Sequence, residues 1–132
     1  MYDELNAFLD LRGVRHFTAE EICPARMPLR QLWTNIVPTL HFAELLRAEF
    51  GPTTVRSGYR DPVHNARVGG APKSLHLSFN ALDLAPERGD QLDWANFMAY
   101  LSLDKLGGLG TYDGFIHIDT RLLVFGRTPW RG

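Results

Sequence analysis

The chain has 132 residues, 45% of them apolar, with a formal net charge of −1 and a pI near 6.5. Those values suit a packed core in one domain spanning residues 1–132 and argue against wholesale disorder. The near-balanced charge gives no electrostatic basis for binding nucleic acid. Cys23 is the only cysteine. It excludes an intrachain disulfide and a zinc site built mainly of thiolates, and it is expected to be a buried thiol.

Two short helical pieces are expected first, around Tyr2–Leu11 and Thr18–Ile22, the second started by the capping-box spacing of Thr18 and Glu21. The segment Met1–Arg12 carries Asp3, Glu4 and Asp10 and no basic stretch before an apolar run, so no secretory signal is expected. No apolar run approaches the roughly 20 residues of a membrane span. The expectation is therefore a soluble chain made in the cytoplasm. Cys23–Pro28 reads as loop. From Leu29 to Phe50, Leu32, Trp33, Ile36, Val37, Leu40, Ala43, Leu46 and Phe50 recur mostly at helical intervals, the pattern of a core-facing helix. Pro38 kinks that helix or divides it, and Gly51-Pro52 closes it.

Thr53–Ser57 reads as a short strand and Gly58–Pro62 as a turn, followed by a loop over residues 64–75 with a possible helical turn. Ala81–Leu84 is a strand candidate ahead of Pro86. Gln91–Leu103 has helical periodicity and ends before Gly107-Gly108. Gly110–Tyr112 and Phe115–Asp119 are two more strand candidates, and Leu122–Phe125 a third. Helices first and short strands afterwards predict an α+β fold.

The residues that carry chemistry lie in the second half. His76 and Asp83 stand seven apart, with Leu77–Asn80 giving the chain room to turn between them. His117 falls in Phe115-Ile116-His117-Ile118-Asp119, whose alternation puts His117 and Asp119 on one strand face. Two imidazoles and a carboxylate are a ligand set of hydrolytic zinc sites. Three protein ligands leave a fourth position for water, which the metal activates. Spacing alone does not separate such ligands from packed histidines, but the neighbours add weight. Ser74, two residues before His76, is placed to orient a ligand from behind, and Asp119, Thr120 and Arg121 are polar groups closing an apolar strand.

Ser74-Leu75-His76 followed by Ala81-Leu82-Asp83 resembles the SxH…AxD motif of the zinc D-alanyl-D-alanine carboxypeptidase family, which includes D,D-dipeptidases, murein endopeptidases and phage endolysins. Gly108-Leu109-Gly110-Thr111-Tyr112 and Phe115–Arg121 resemble the GxGxY…FxHxDxR ending of one branch. Ser57-Gly58-Tyr59-Arg60, Asn65 and Gly69-Gly70 match the same branch upstream. The resemblance spans roughly Phe17 to Arg121. It implies a small antiparallel sheet packed against helices, of the hedgehog/D-Ala-D-Ala peptidase type, with one zinc ion per chain held by His76, Asp83 and His117. It also implies Arg60 as the group that meets the substrate, a peptidoglycan peptide or muropeptide. An arginine fork is apt for a terminal carboxylate or a developing oxyanion. The structural alternative for Arg60 is a bridge to Asp61 or another acid.

The chain departs from the family at two positions. Phe79 stands where the family has glycine, either narrowing the pocket or packing into a different loop. Gly114 stands where many members carry the carboxylate that serves as general base. Asp119 is the expected substitute for that proton transfer, with a role behind the ligand or a bond to backbone as its alternatives. The enzyme reading is a peptidase acting as carboxypeptidase or endopeptidase, including a lysin reaching the wall after phage-type release, and a monomer. The alternative is a non-catalytic zinc-held structural or binding module. His16, His41 and His64 are expected to serve surface or packing roles, Trp33 and Trp94 to be core, Gly69-Gly70 to serve a turn with positive φ, and Trp130 to pack back onto the domain or cover the pocket mouth.

Overall fold

The structure, a computed structural model, describes residues 2–126, so Trp130 lies outside the described residues. Helix α1 (Tyr2–Leu11) buries Leu5 and Leu9, one turn apart on the same side. Helix α2 (Ala19–Ile22) starts with the expected capping box. Glu21 N donates to Thr18 Oγ1 at 3.3 Å, and Thr18 N donates to Glu21 Oε1 at 3.0 Å. Cys23 is buried behind it, and burial pushes its thiol up to about 12, so it is an inert packing residue.

The long apolar pattern resolves into two pieces. A 3₁₀ stretch (Arg30–Ile36) runs into helix α3 (Val37–Phe50), with Pro38 in the first turn of α3, where a missing N–H leaves no bond unmade. Gly51 ends the helix at φ +87°, a conformation that L side chains resist.

Four antiparallel strands follow: β1 (Thr53–Ser57), β2 (Ala81–Pro86), β3 (Leu109–Tyr112) and β4 (Phe115–Asp119), in spatial order β1-β2-β4-β3. Helix α4 (Pro62–Arg67) starts on Asp61, whose carboxylate accepts from His64 N at 2.8 Å. Helices α5 (Gln91–Tyr100) and α6 (Leu103–Leu106) divide what the periodicity suggests as one segment. The fold is thus α+β, with a small antiparallel sheet packed against helices. Leu82, Leu84, Ile116 and Ile118 on one sheet face are wholly buried in a core shared with Leu40, Leu46 and Met98 of α3 and α5. Each such side chain contributes about 1.5–3 kcal/mol by burial.

Leu122–Phe125 is helical, within α7 (Arg121–Phe125), rather than a strand. Val124 N donates to Thr120 O and Gly126 N to Leu122 O, both at 3.1 Å, and Gly126 closes the segment in the left-handed region at φ +67°. Beneath the sheet end sits a buried polar knot. Thr39 Oγ1 donates to Asn80 O at 2.7 Å, and Asn80 Nδ2 donates to Asn35 O at 2.8 Å and Thr120 Oγ1 at 3.0 Å. It ties α3 to the turn before β2 and to the end of β4.

Candidate metal centre

The strand register puts Ser57, Asp83, His117 and Gly110 in a single row across the four strands. Directly paired residues share a sheet face. This face is the one opposite Leu84 and Ile116. His76 joins the row from the loop before β2. Its Nδ1 donates to the carbonyl of Gly58 at 2.7 Å, which turns Nε2 towards Asp83 Oδ1, 3.3 Å away. His117 is held the other way round. Its Nε2 meets Asp119 Oδ2 at 2.7 Å, and its Nδ1 lies 3.1 Å from the same Asp83 oxygen. The rings of His76 and His117 meet edge to face at 5.4 Å.

One ligand atom from each of His76, Asp83 and His117 can be chosen so that all three lie within 4.8 Å of one another. Each imidazole has its far nitrogen engaged by an acceptor, the arrangement that frees the near nitrogen for a metal. The donor set, two nitrogens and one carboxylate oxygen, suits zinc and other first-row divalent ions. These residues therefore fit the metal.

The electrostatics agree with that geometry. Burial alone would push the Asp83 carboxyl up, but the hydrogen bonds and charges of His117 and His76 outweigh it and hold Asp83 well below the usual carboxylate range. Burial would lower His117, and the carboxylates of Asp119 and Asp83 instead raise it to about 9. Asp119, also pushed up by burial, is held far below the usual range by Arg121, His117 and the Gly108 N–H.

Asp119 lies behind His117, wholly buried. Its Oδ1 accepts from Gly108 N at 2.8 Å and Arg121 Nε at 2.8 Å, and its Oδ2 receives Arg121 Nη2 at 2.5 Å beside the His117 contact. Strand alternation rightly puts Asp119 on the face of His117, but its oxygens are committed to these donors and it does not line the cleft. That is not the position of a base reaching for water in the cleft. A β-carbon on Gly108 would collide with this carboxylate, which accounts for the glycine there.

Arg60 sits on the cleft wall rather than bridging to Asp61. Its Nε donates to Ser57 Oγ at 3.0 Å and its Nη1 to Asn65 Oδ1 at 3.3 Å, while Nη2 lies 3.7 Å from Asp83 Oδ2. Asp61 caps α4 and lies 3.7 Å from Arg26 instead. Ser74 acts on the backbone: its Oγ accepts from His76 N at 3.2 Å and so shapes the loop that presents the imidazole. Gly69 takes φ +72° as expected, whereas Gly70 is needed for space, since a β-carbon there would strike Asn65. Phe79 does not narrow the pocket. It is wholly buried, edge-on to Tyr59 at 5.9 Å, and adopts φ +56°, the left-handed conformation that glycine suits best. His16 pairs with Glu44 at 2.6 Å and His41 Nε2 lies 2.8 Å from Arg12 O. Neither they nor His64 line the cleft.

The cleft has a volume of about 790 Å³. The loop over residues 68–75 and Arg60 form one wall, residues 107–112 the other, and the His76, Asp83 and His117 group lies between them. Sequence reasoning missed the Asn80 knot and the place of Tyr112 on the second wall. Their signals were an amide between two candidate ligands and an aromatic two residues after a strand glycine.

A small antiparallel sheet thus presents, in an open cleft, a convergent His/Asp/His group that could hold a metal ion, a donor set of the kind used by hydrolytic metal centres. The family model described as Peptidase M15 matches residues 15–119, and the chain belongs to that family of metallopeptidases. No curated protein matches the chain. Among the described residues no helix is long and apolar enough to cross a membrane.

Proposed function

We propose that the chain is a zinc peptidase of the D-alanyl-D-alanine carboxypeptidase type, cleaving peptidoglycan stem peptides as a carboxypeptidase or murein endopeptidase. The observation that carries this reading is the pair of imidazoles, each held at its far nitrogen, converging with Asp83 inside a cleft walled by Arg60. Zinc held by His76, Asp83 and His117 would supply an activated water and polarise the scissile carbonyl.

The remaining work falls to the chain's own groups. Arg60, fixed by Ser57 and Asn65, binds the peptide's carboxylate or the carbonyl oxygen. Asp119 takes a positioning role, fixing the ring of His117 and its tautomer in place of the proton transfer expected of it. Ser74 holds the backbone of the His76 loop.

One observation favours the rival reading, a non-catalytic zinc-held module. Position 114 is a glycine at φ +84° in the β3–β4 turn, and the Asp119 carboxylate, at the far end of β4, is occupied by its donors. Elemental analysis of the purified protein and of His76→Ala, with digestion of muropeptides alongside, decides between them. The peptidase reading expects about one zinc per chain, lost in the variant together with cleavage. Zinc retained by wild-type protein that hydrolyses no muropeptide would favour the binding module, and wild-type protein without stoichiometric metal would refute both.

A further inference from the structure

The cleft wall opposite Arg60 carries a phenol with no role in the reaction so far. Tyr112, the last residue of β3, pairs across the strands with Phe115 and stacks on it, with ring centroids 5.0 Å apart and planes inclined by 9°. It is 53% exposed and lines the cleft. Its ring does not stand upright from the sheet. A β-carbon built on Gly110, two residues earlier, would lie 3.1 Å from Tyr112 Cε2 and 3.6 Å from its hydroxyl oxygen. The ring therefore leans back across Gly110.

Gly110 is the direct partner of His117. Paired β-carbons in an antiparallel ladder stand about 4.5–5.5 Å apart, so the phenol oxygen lies within about 9 Å of the His117 β-carbon. The row Ser57, Asp83, His117, Gly110 thus ends at both sides in a hydrogen-bond donor. Arg60 is bonded to Ser57 at one end, and Tyr112 lies over Gly110 at the other. Stacking on Phe115 fixes the ring, and among the described residues the hydroxyl has no hydrogen-bond partner.

We propose that Tyr112 is a catalytic residue whose phenol donates a hydrogen bond to the oxygen that gains negative charge as the scissile carbonyl becomes tetrahedral. A preorganised donor at that oxygen lowers the barrier because it binds the transition state more strongly than the substrate. Glycine at 110 leaves the ring room over the row, since a methyl group there would make it give way by a few tenths of an ångström. The inference rests on the peptidase reading above.

The test uses zinc-loaded wild-type protein, Tyr112→Phe, Gly110→Ala and the double variant. It measures kcat and KM on muropeptide, zinc content, and calorimetric affinity for a phosphinate dipeptide that mimics the tetrahedral state. Tyr112→Phe is expected to keep its zinc and its KM while kcat and phosphinate affinity both fall about 100-fold, the lower end of the range for a single donor. Gly110→Ala should lower kcat beside Tyr112 and add nothing in the Tyr112→Phe background. An unimpaired kcat in Tyr112→Phe, a loss confined to KM, or a Gly110→Ala effect equal in both backgrounds would overturn the assignment. Wild-type protein that cleaves nothing overturns the peptidase reading itself, whereas active wild type beside an equally active Tyr112→Phe overturns this inference alone.

Discussion

Replacing Asp119 by Asn isolates the link between a buried carboxylate and the atom of His117 that would meet the proposed metal. The substitution keeps the volume and one acceptor oxygen. That oxygen can stay where Oδ1 now receives Gly108 N and Arg121 Nε, both at 2.8 Å. The new amide then faces His117 Nε2 and Arg121 Nη2, which the carboxylate meets at 2.7 and 2.5 Å. An amide nitrogen donates only, so His117 must accept at Nε2 and carry its proton on Nδ1, the atom turned towards Asp83. Losing a partner of this kind costs about 10–100-fold in metal affinity, or roughly 1.4–2.7 kcal/mol. The metal-free fold should also lose about 3–5 kcal/mol, because Arg121 is left facing a neutral group inside a buried pair. Competition against a chromophoric chelator gives the affinity, and urea unfolding in the presence of chelator gives the stability. Asp113→Asn, in the exposed turn, is the control and should stay within about 0.5 kcal/mol of wild type. If Asp119→Asn binds zinc within about twofold of wild type, the tautomer of His117 does not depend on Asp119 and this reasoning fails.

The pH dependence of the metal-free protein follows from the same groups. His117 is raised from 6.5 to about 9, so its contribution is complete below about pH 6.5 and is lost as pH rises through about 9. Asp83 and Asp119 are depressed, so theirs is present above the usual carboxylate range and is lost as pH falls below it. Urea midpoints of chelated protein should therefore be highest at roughly pH 4.5–6.5 and decline towards pH 9. Zinc affinity should instead climb with pH over that upper window, with about one proton released per ion at pH 7. Calorimetry in two buffers of different ionisation enthalpy checks this, and zinc binding without proton release would contradict the His117 assignment. At position 79, Phe79→Ala should lose about 3–5 kcal/mol for the emptied core. Phe79→Gly should be more stable than Phe79→Ala by about 1 kcal/mol, reversing the usual order, because φ is +56° there. The usual order in urea unfolding would refute a left-handed backbone at that residue.

The sequence made legible what is encoded locally. The capping box of α2, the helical spacing through α3 and the strand alternation of β4 need only neighbours within a turn or two, and each is present. Leu122–Phe125 was ambiguous because a short apolar run fits either period, and the i to i−4 bonds of Val124 N to Thr120 O and Gly126 N to Leu122 O make it helical. The two histidines of the candidate site and Asp83 were legible as residue types, but what aims them was not. His76 is fixed by a carbonyl eighteen residues away, and Asp119 is covered by Gly108 across a strand pair. Alternation gives a face and not a depth, so it cannot tell a group that meets water from one that backs a ligand.

Phe79 and Gly114, the two positions at which the resemblance breaks, have a common physical character, because both fall at left-handed backbone positions. Phe79 at φ +56° accepts strain to fill the core, and Gly114 at φ +84° occupies the second position of a two-residue turn between Tyr112 and Phe115. A carboxylate-bearing residue would be strained at 114 in this turn. The tightness that disfavours a side chain there also brings Tyr112 directly opposite Phe115, stacks the two rings and leans the phenol over Gly110 towards His117. The lack of a carboxylate at 114 and the placing of Tyr112 thus fit one turn geometry. Lengthening the turn by one residue should therefore release Tyr112 without touching His76, Asp83 or His117.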